Sequence, residues 1–344
     1  MKRRLSVTLV AVGVVTSAGA SLVPGNAQAP TSARPDPIRI QPGDLLPGTD
    51  AGVLYSTGNT IHVGDRDIRT DLAGPLDVVD RAAHGYVVAT RSPDRLWTVH
   101  RDGSATLLGR LPGSWADIEV STDGTRVAVS WFRRGHTHVG IDRTTDGQRI
   151  HHARFAGDVD LDGYGKRRVL LSTWSPDRTF WYTPASQHRT VIARQKAFNV
   201  DVAHDRISFG VRDPNGVDGL CVRLARLTTP DQTTWRTCEQ KPLAWSGRGG
   251  RVLTTDLRSD GLGPRTVQMR NVDGALLRIF SSGTFGDLRF AGKNAAMFSV
   301  QGARQAALVK CALEGGFAHC TLATGLRPAS NLGPNHALGL SMPG

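Results

Sequence analysis

The chain has 344 residues, of which 21% are charged and 6% aromatic, and its 42 Lys and Arg outweigh 30 Asp and Glu to give a formal net charge of +12. That length accommodates one large core or two domains. The positive surplus is mostly arginine spread along the chain, with no basic block interleaved with aromatics, which argues against a nucleic-acid interface and leaves only a general attraction to anionic envelope polymers.

In chain order, Lys2, Arg3 and Arg4 precede an apolar run from Leu5 to Val23, and Ala27-Gln28-Ala29 stands before Pro30. A basic start, an apolar middle and a small-x-small site describe a signal peptide over residues 1–29, with cleavage after Ala29. Gly13, Ser17, Gly19 and Ser21 dilute the apolar run, which argues against a retained membrane anchor, and no cysteine precedes Cys221 to carry a lipid. No later stretch is apolar enough to span a membrane, so the mature chain is expected to be soluble and secreted, or held on the extracellular side of the envelope. Residues 30–49 contain Pro30, Pro35, Pro37, Pro42 and Pro47 and read as an extended linker. Residues 50–344 form the remaining domain.

From Asp50 onward no helical period of apolar residues stands out, and short alternating runs recur between clusters of Gly, Asp, Asn and Pro. The most apolar of these are YVVA at Tyr86, VAVS at Val127, VLLS at Val169, ISFG at Ile207, VLTT at Val252 and AMFS at Ala296, about forty residues apart. Each is preceded by one strand-like run (LDVV, WADIEV, DVDL, FNVDV, PLAW, GDLRF) and followed by two more. Four strands per unit, with a nearly all-apolar second strand sandwiched between neighbours, is the blade of a β-propeller. Units begin near Leu76, Trp115, Asp158, Phe198, Pro242 and Phe285, and a seventh near Ala329. The runs VLYST, NTIHVG and DIRTDL before Leu76 supply three strands of a shared blade and the C-terminal SNLGP its first, closing an all-β, seven-bladed ring of four-stranded antiparallel blades without free edges. Ala337-Leu338-Gly339-Leu340 competes with VLYST as a second strand, so an eight-bladed ring or a different closure stays open.

In an exported chain the four cysteines are expected as two disulfides. Cys221 and Cys238 lie in runs separated by the turn TTPDQ, and Cys311 and Cys320 flank EGGF, so each pair clips neighbouring antiparallel strands. Neither pair has thiolate metal-ligand spacing.

The stretch STDGTRVAVSW, Ser121 to Trp131, is similar to the S-P-D-G signature of TolB-type and WD40-like propeller repeats; Ser92-Pro93-Asp94-Arg95 and Ser175-Pro176-Asp177-Arg178 match part of it but in the turn after the apolar strand. The resemblance implies a propeller over most of the mature chain. It implies no particular activity, since such repeats serve binding scaffolds, peptidase accessory domains and enzymes alike.

Asp158, Asp160 and Asp162 followed by Gly163 resemble the D-x-D-x-D-G calcium loop found at this turn in integrin-type propellers, and calcium is the one cofactor expectation. Lys166 occupies the next ligand position, and the same residues also suit a polar hairpin paired with Lys166 and Arg167. His136 and His138, with His151 or His152 on a paired strand, form an imidazole cluster suited to a transition metal or merely exposed on outer strands. No G-x-S-x-G elbow occurs, and no catalytic residues are assigned. The expected function is a non-catalytic, monomeric scaffold that binds a protein, peptide or envelope glycan on one face of the ring. The alternative is an extracellular propeller hydrolase or lyase acting on a sugar or lactone, which requires Asp, Glu or His clustered at the channel mouth.

Overall fold

A computed structural model of the chain describes residues 34–49, 51–91, 94–112, 116–212, 220–259, 263–292, 294–313 and 319–342. The signal-peptide segment, Ser92, Pro93, Trp115 and the EGGF turn lie outside the described residues. The unit from Pro35 onward is built from seven antiparallel sheets. Blade 1 comprises Leu76–Ala82, Gly85–Arg91, Asp94–His100 and Ala105–Arg110; blade 2 comprises Asp117–Val120, Arg126–Arg133, His136–Arg143 and Arg149–Ala156. Blade 3 runs through Val159–Tyr164, Val169–Trp174, Asp177–Thr183 and His188–Ala193, and blade 4 through Ala197–Asp201, Arg206–Arg212, Leu220–Ala225 and Thr233–Thr237. Blade 5 holds Gln240–Trp245, Arg251–Asp256, Thr266–Asn271 and Leu276–Ser281, and blade 6 holds Thr284–Phe290, Ala295–Gln301, Gln305–Ala312 and His319–Leu322. In each of these the strands pair in chain order, from the channel outward.

The second strands carry the core. Tyr86–Thr90, Val169–Ser172 and Ala295–Val300 are buried throughout, because a neighbouring blade covers each face of the strand. Each Val, Leu or Phe so enclosed contributes about 1.5–3 kcal/mol. Outer strands meet a neighbour less fully, and Arg149–Ala156 and His188–Ala193 are largely exposed.

Closure follows a different segment from the one expected. Leu340–Ser341, not SNLGP, pairs antiparallel with Ser56 and Thr57 and becomes the first strand of blade 7, ahead of Leu54–Thr57, Thr60–Val63 and Arg66–Arg69. The ring has seven blades, which removes the eight-bladed alternative. The Ala337-Leu338 run is not a competing strand but the end of a short helix, Pro334–Leu338. Gly333, at φ +90°, turns the chain into it and Pro334 presets its first φ; Gly339, at φ +56°, ends it in the left-handed conformation and releases Leu340 into the sheet. Asn335 fixes the helix to blade 6, its Oδ1 accepting hydrogen bonds from the Asp287 amide (3.1 Å) and the Ser299 hydroxyl.

The segment expected as a linker lies against the propeller from Ile38 onward. Ile38–Arg39 adds in parallel to the outer strand of blade 5, Ile40 is fully buried among side chains of blades 5 and 6, and Pro47 bridges to Leu322. Both expected disulfides are present, Cys221–Cys238 in blade 4 and Cys311–Cys320 in blade 6. The STDG turn shows why its residue types recur in such repeats. Asp123 Oδ1 accepts from Ser121 Oγ and the Thr125 amide (2.8 and 3.1 Å), Ser121 Oγ accepts from the Arg126 amide (3.0 Å), and Gly124 takes φ +69° against the Ala83 backbone.

Candidate functional site: an acid-ringed channel

Residues from the first strands of blades 1 to 6 line one common cavity of about 830 Å³. Asp80 from blade 1, Glu119 from blade 2, Asp162 from blade 3, Asp201 from blade 4 and Asp287 from blade 6 line it, with Arg289 of blade 6 among them. Blade 5 contributes Leu243 and Trp245, and blade 7 Gly52 to Leu54.

Bulges aim some of these side chains. Register shifts interrupt the first strands of blades 1, 3, 4, 5 and 6, and the residues left without a ladder partner include Asp162, Leu243 and Asp287. An extra residue breaks the two-residue alternation and turns a side chain that would face a neighbouring blade into the channel.

The three aspartates of the triplet have different surroundings. Asp158 precedes the strand and is exposed, Asp160 pairs with Lys196, and Asp162 enters the channel. The Tyr164 carbonyl, the other expected ligand, accepts a hydrogen bond from the Thr122 amide (3.2 Å). Among the described residues no three His, Cys, Asp or Glu side chains are placed to hold a metal ion.

The channel is electrostatically unusual for so basic a protein. Burial, reinforced by the charges of Asp80, Asp162 and Asp117, pushes the Glu119 carboxyl up to about 8. Burial, followed by Asp160 and Asp117, raises Asp162 to about 8 against the opposing pull of Lys196. Asp80, Asp117 and Asp287 are also raised, chiefly by burial. Arg289 is lowered by burial, while Asp287, Asp80, Asp201 and Glu119 act to hold its proton. The carboxyls therefore feel one another across the cavity. Glu119 and Asp162 are both half-buried at the channel.

Two polar atoms in this ring lack partners. Asp162 Oδ2 is buried without a hydrogen bond, the adjacent Ser172 hydroxyl being outside bonding geometry, and Arg289 Nε is buried without an acceptor. The other acids are partly occupied. Asp201 accepts from the His204 amide (3.0 Å) and contacts its Nδ1 (2.8 Å), Asp80 accepts from the Arg81 amide (2.7 Å), and Asp287 from the Met342 amide (3.3 Å). Such a ring offers carboxylate acceptors, carboxylic-acid donors at neutral pH, and the guanidiniums of Arg289 and Arg81.

The residue reading assigned none of Asp80, Glu119, Asp201, Asp287 or Arg289 to a site. A signal existed: an acid ends or nearly ends the first run in LDVVD, DIEV, VDLD and NVD, and FGDLR holds both Asp287 and Arg289.

No known protein family matches the chain, and no curated protein matches it in sequence. Solved structures do resemble it. They include the β-propeller domain of Cps50 (Swd1) from Myceliophteria thermophila, at 11% identity and TM-score 0.44 over 77% of this chain and 97% of that one. The likeness is one of fold. The β-propeller domain of the Trilobed protease from Pyrococcus furiosus follows at 11% identity and TM-score 0.45 (73% and 86% covered), and TolB from Acinetobacter baumannii at 13% and 0.43 (76% and 65%). The seven-bladed ring itself rests on the chain's own strand pairing.

Proposed function

We propose that this protein is an exported, non-catalytic binding propeller that receives a positively charged group of a protein or peptide partner in the acid-ringed channel. The observation that carries the reading is the convergence of five carboxyls from five blades on one cavity in a chain of net charge +12. A scaffold this basic has no general reason to concentrate acids at its axis, and a ring of carboxyls with one face open attracts and orients a Lys, Arg or amino-terminal group entering from that face. The basic outer surface complements a partner that is acidic elsewhere. Two disulfides suit an oxidising compartment, and among the described residues no helix is long and apolar enough to cross a membrane.

The test is calorimetric titration of the chain without residues 1–29 with short peptides ending in Arg or in citrulline. The Arg peptide is expected to bind, with a loss of about tenfold or more in the Asp80→Asn/Asp201→Asn/Asp287→Asn variant. Equal affinity for Arg and citrulline, or no change in the variant, overturns the reading. Because Glu119 and Asp162 lose their protons near pH 8, affinity is also expected to rise between about pH 7 and pH 9, and this rise to vanish in Glu119→Gln/Asp162→Asn.

One observation favours a second reading. Glu119 is a protonated acid at neutral pH within the electrostatic reach of Asp80 and Asp162, which suits general acid catalysis by a hydrolase or lyase on an extracellular sugar or lactone. Turnover of a sugar or lactone substrate that Glu119→Gln abolishes would replace the binding reading with this one.

A further inference from the structure

The outer half of blade 2 brings together four histidines that the channel does not use. On the strand His136–Arg143, His138 stands opposite Trp131 on one side and Arg154 on the other, while the next residue on the same face, Gly140, is paired with His152. The Arg149 guanidinium lies over Gly140, and the rings of His138 and His152 meet diagonally beside it. His138 Nδ1 and His152 Nε2 lie 3.2 Å apart. Trp131 stacks on both, with ring centroids 5.3 Å from His138 and 5.8 Å from His152.

The other two histidines are committed elsewhere. His136 Nδ1 is 3.0 Å from the Arg134 carbonyl, with the Arg154 guanidinium against the same ring. His151 points to the opposite face of the blade, where its Nε2 meets the Tyr182 hydroxyl at 2.8 Å. The structure thus selects a pair from the cluster.

Two imidazole nitrogens bound to one metal at about 2.0–2.1 Å stand about 2.9 Å apart at a square-planar corner and about 3.3 Å apart in a tetrahedron. The observed 3.2 Å falls between these limits, and the rings face each other nearly head-on, with centroids 5.3 Å apart and 22° between their planes, so the imidazoles must turn about their side-chain bonds to aim both lone pairs at one ion. We propose that His138 and His152 form a two-imidazole site for a late first-row divalent metal, copper(II) above the others, at the exposed edge of blade 2. Copper(II) heads the affinity order for nitrogen ligands, and the open positions are filled by water. Among the described residues no third ligating side chain converges on the pair.

Cations stand near both rings, Arg154 and Arg133 beside His138 and Arg149 beside His152. Arg149, the nearest cation to His152, is bound by both nitrogens it presents to the Asp142 carboxylate, which compensates its charge. In the metal-free protein one proton is shared between the facing nitrogens. Metal binding transfers it to the outer nitrogen of its own ring, and the metal keeps its oxidation state.

This site is independent of the channel reading. The test is titration of the chain without residues 1–29 with copper(II), followed by tryptophan fluorescence and electron paramagnetic resonance. The expected result is saturable quenching at one equivalent and a spectrum with two-nitrogen coupling. His138→Ala and His152→Ala should each weaken binding about tenfold or more, and the double variant should lose the two-nitrogen signal. Trp131→Phe should remove most of the quenching while leaving the resonance spectrum and stoichiometry unchanged. His136→Ala should bind as the wild type does. Wild-type binding that is non-saturable, or that persists unchanged in the double variant, overturns the proposal; circular dichroism establishes that each exposed-site variant remains folded.

Discussion

At the scale of single residues, the protein concentrates its unusual chemistry in side chains whose types are ordinary. Glu119 is one glutamate in a basic chain, yet burial, and after it the charges of Asp80 and Asp162, keep it protonated up to about pH 8. The sign of the stability effect follows from linkage. The folded state holds this proton over a range in which the unfolded chain, with a carboxyl near 4.5, has released it. Stability therefore falls as pH rises from about 4.5 to about 8, and the same holds for Asp162 from its ordinary value of 3.8. Glu119→Gln and Asp162→Asn, which mimic the protonated forms, are expected to raise the melting temperature at about pH 9 and to leave it nearly unchanged at about pH 5, a comparison that calorimetry makes directly. A second residue-scale expectation concerns Gly124. Its φ of +69° and the 2.5 Å from an added Cβ to the Ala83 amide nitrogen leave no room for a side chain, whereas Gly58, at φ +58°, has open space around it. Gly124→Ala should cost about 2–3 kcal/mol in urea unfolding and Gly58→Ala about 1 kcal/mol, from backbone strain alone.

At the scale of the strand and hairpin, burial decides which features are structural. The apolar second strands were legible because two-sided burial leaves no polar position to disguise the pattern, and VLLS and AMFS are fully enclosed. First strands were harder to interpret. Alternation assigns Asp158, Asp160 and Asp162 to one face, but the bulge after Leu161 leaves Asp162 without a ladder partner, at the channel. The loss or gain of one residue of register leaves no mark in residue types, so the calcium-like spacing was visible in the chain and the bulge was not. The disulfides were legible for the opposite reason, since each closes a short hairpin whose turn is marked by polar residues. Their loops span 17 residues for Cys221–Cys238 and 9 for Cys311–Cys320. Replacing each pair by serine should destabilise the protein by about 2–4 kcal/mol, with the first costing roughly half a kcal/mol more, as the loop-length dependence requires. Denaturant titration of the two double variants tests this order.

At the scale of the whole molecule, the ring is completed by very little chain. Leu340–Ser341 supplies the inner strand of blade 7, and the buried Leu340 and Met342 seal it against Tyr55, Met297 and Leu308. Ending the chain after Gly339 removes both side chains and exposes the edge of Leu54–Thr57, which should cost at least about 4 kcal/mol and promote self-association. Thermal unfolding and light scattering of the truncated chain measure both effects.

The repeat of about forty residues was sufficient to determine the all-β class, the four-stranded unit, the second-strand core and the cysteine pairing, because each depends on residues close in sequence and on one dominant force, apolar burial. The tertiary structure alone decided that Leu340 rather than SNLGP closes the ring, that Ile40 leaves the proline-rich segment for the core, and that five acids from separate repeats share one channel. Those outcomes depend on where seven blades meet around an axis and on the bulges that turn single side chains toward it. No local pattern encodes a distance between Asp80 and Glu119, which arises when the ring closes, whereas His138 and His152 meet within one hairpin whose strands and histidines were visible in the sequence.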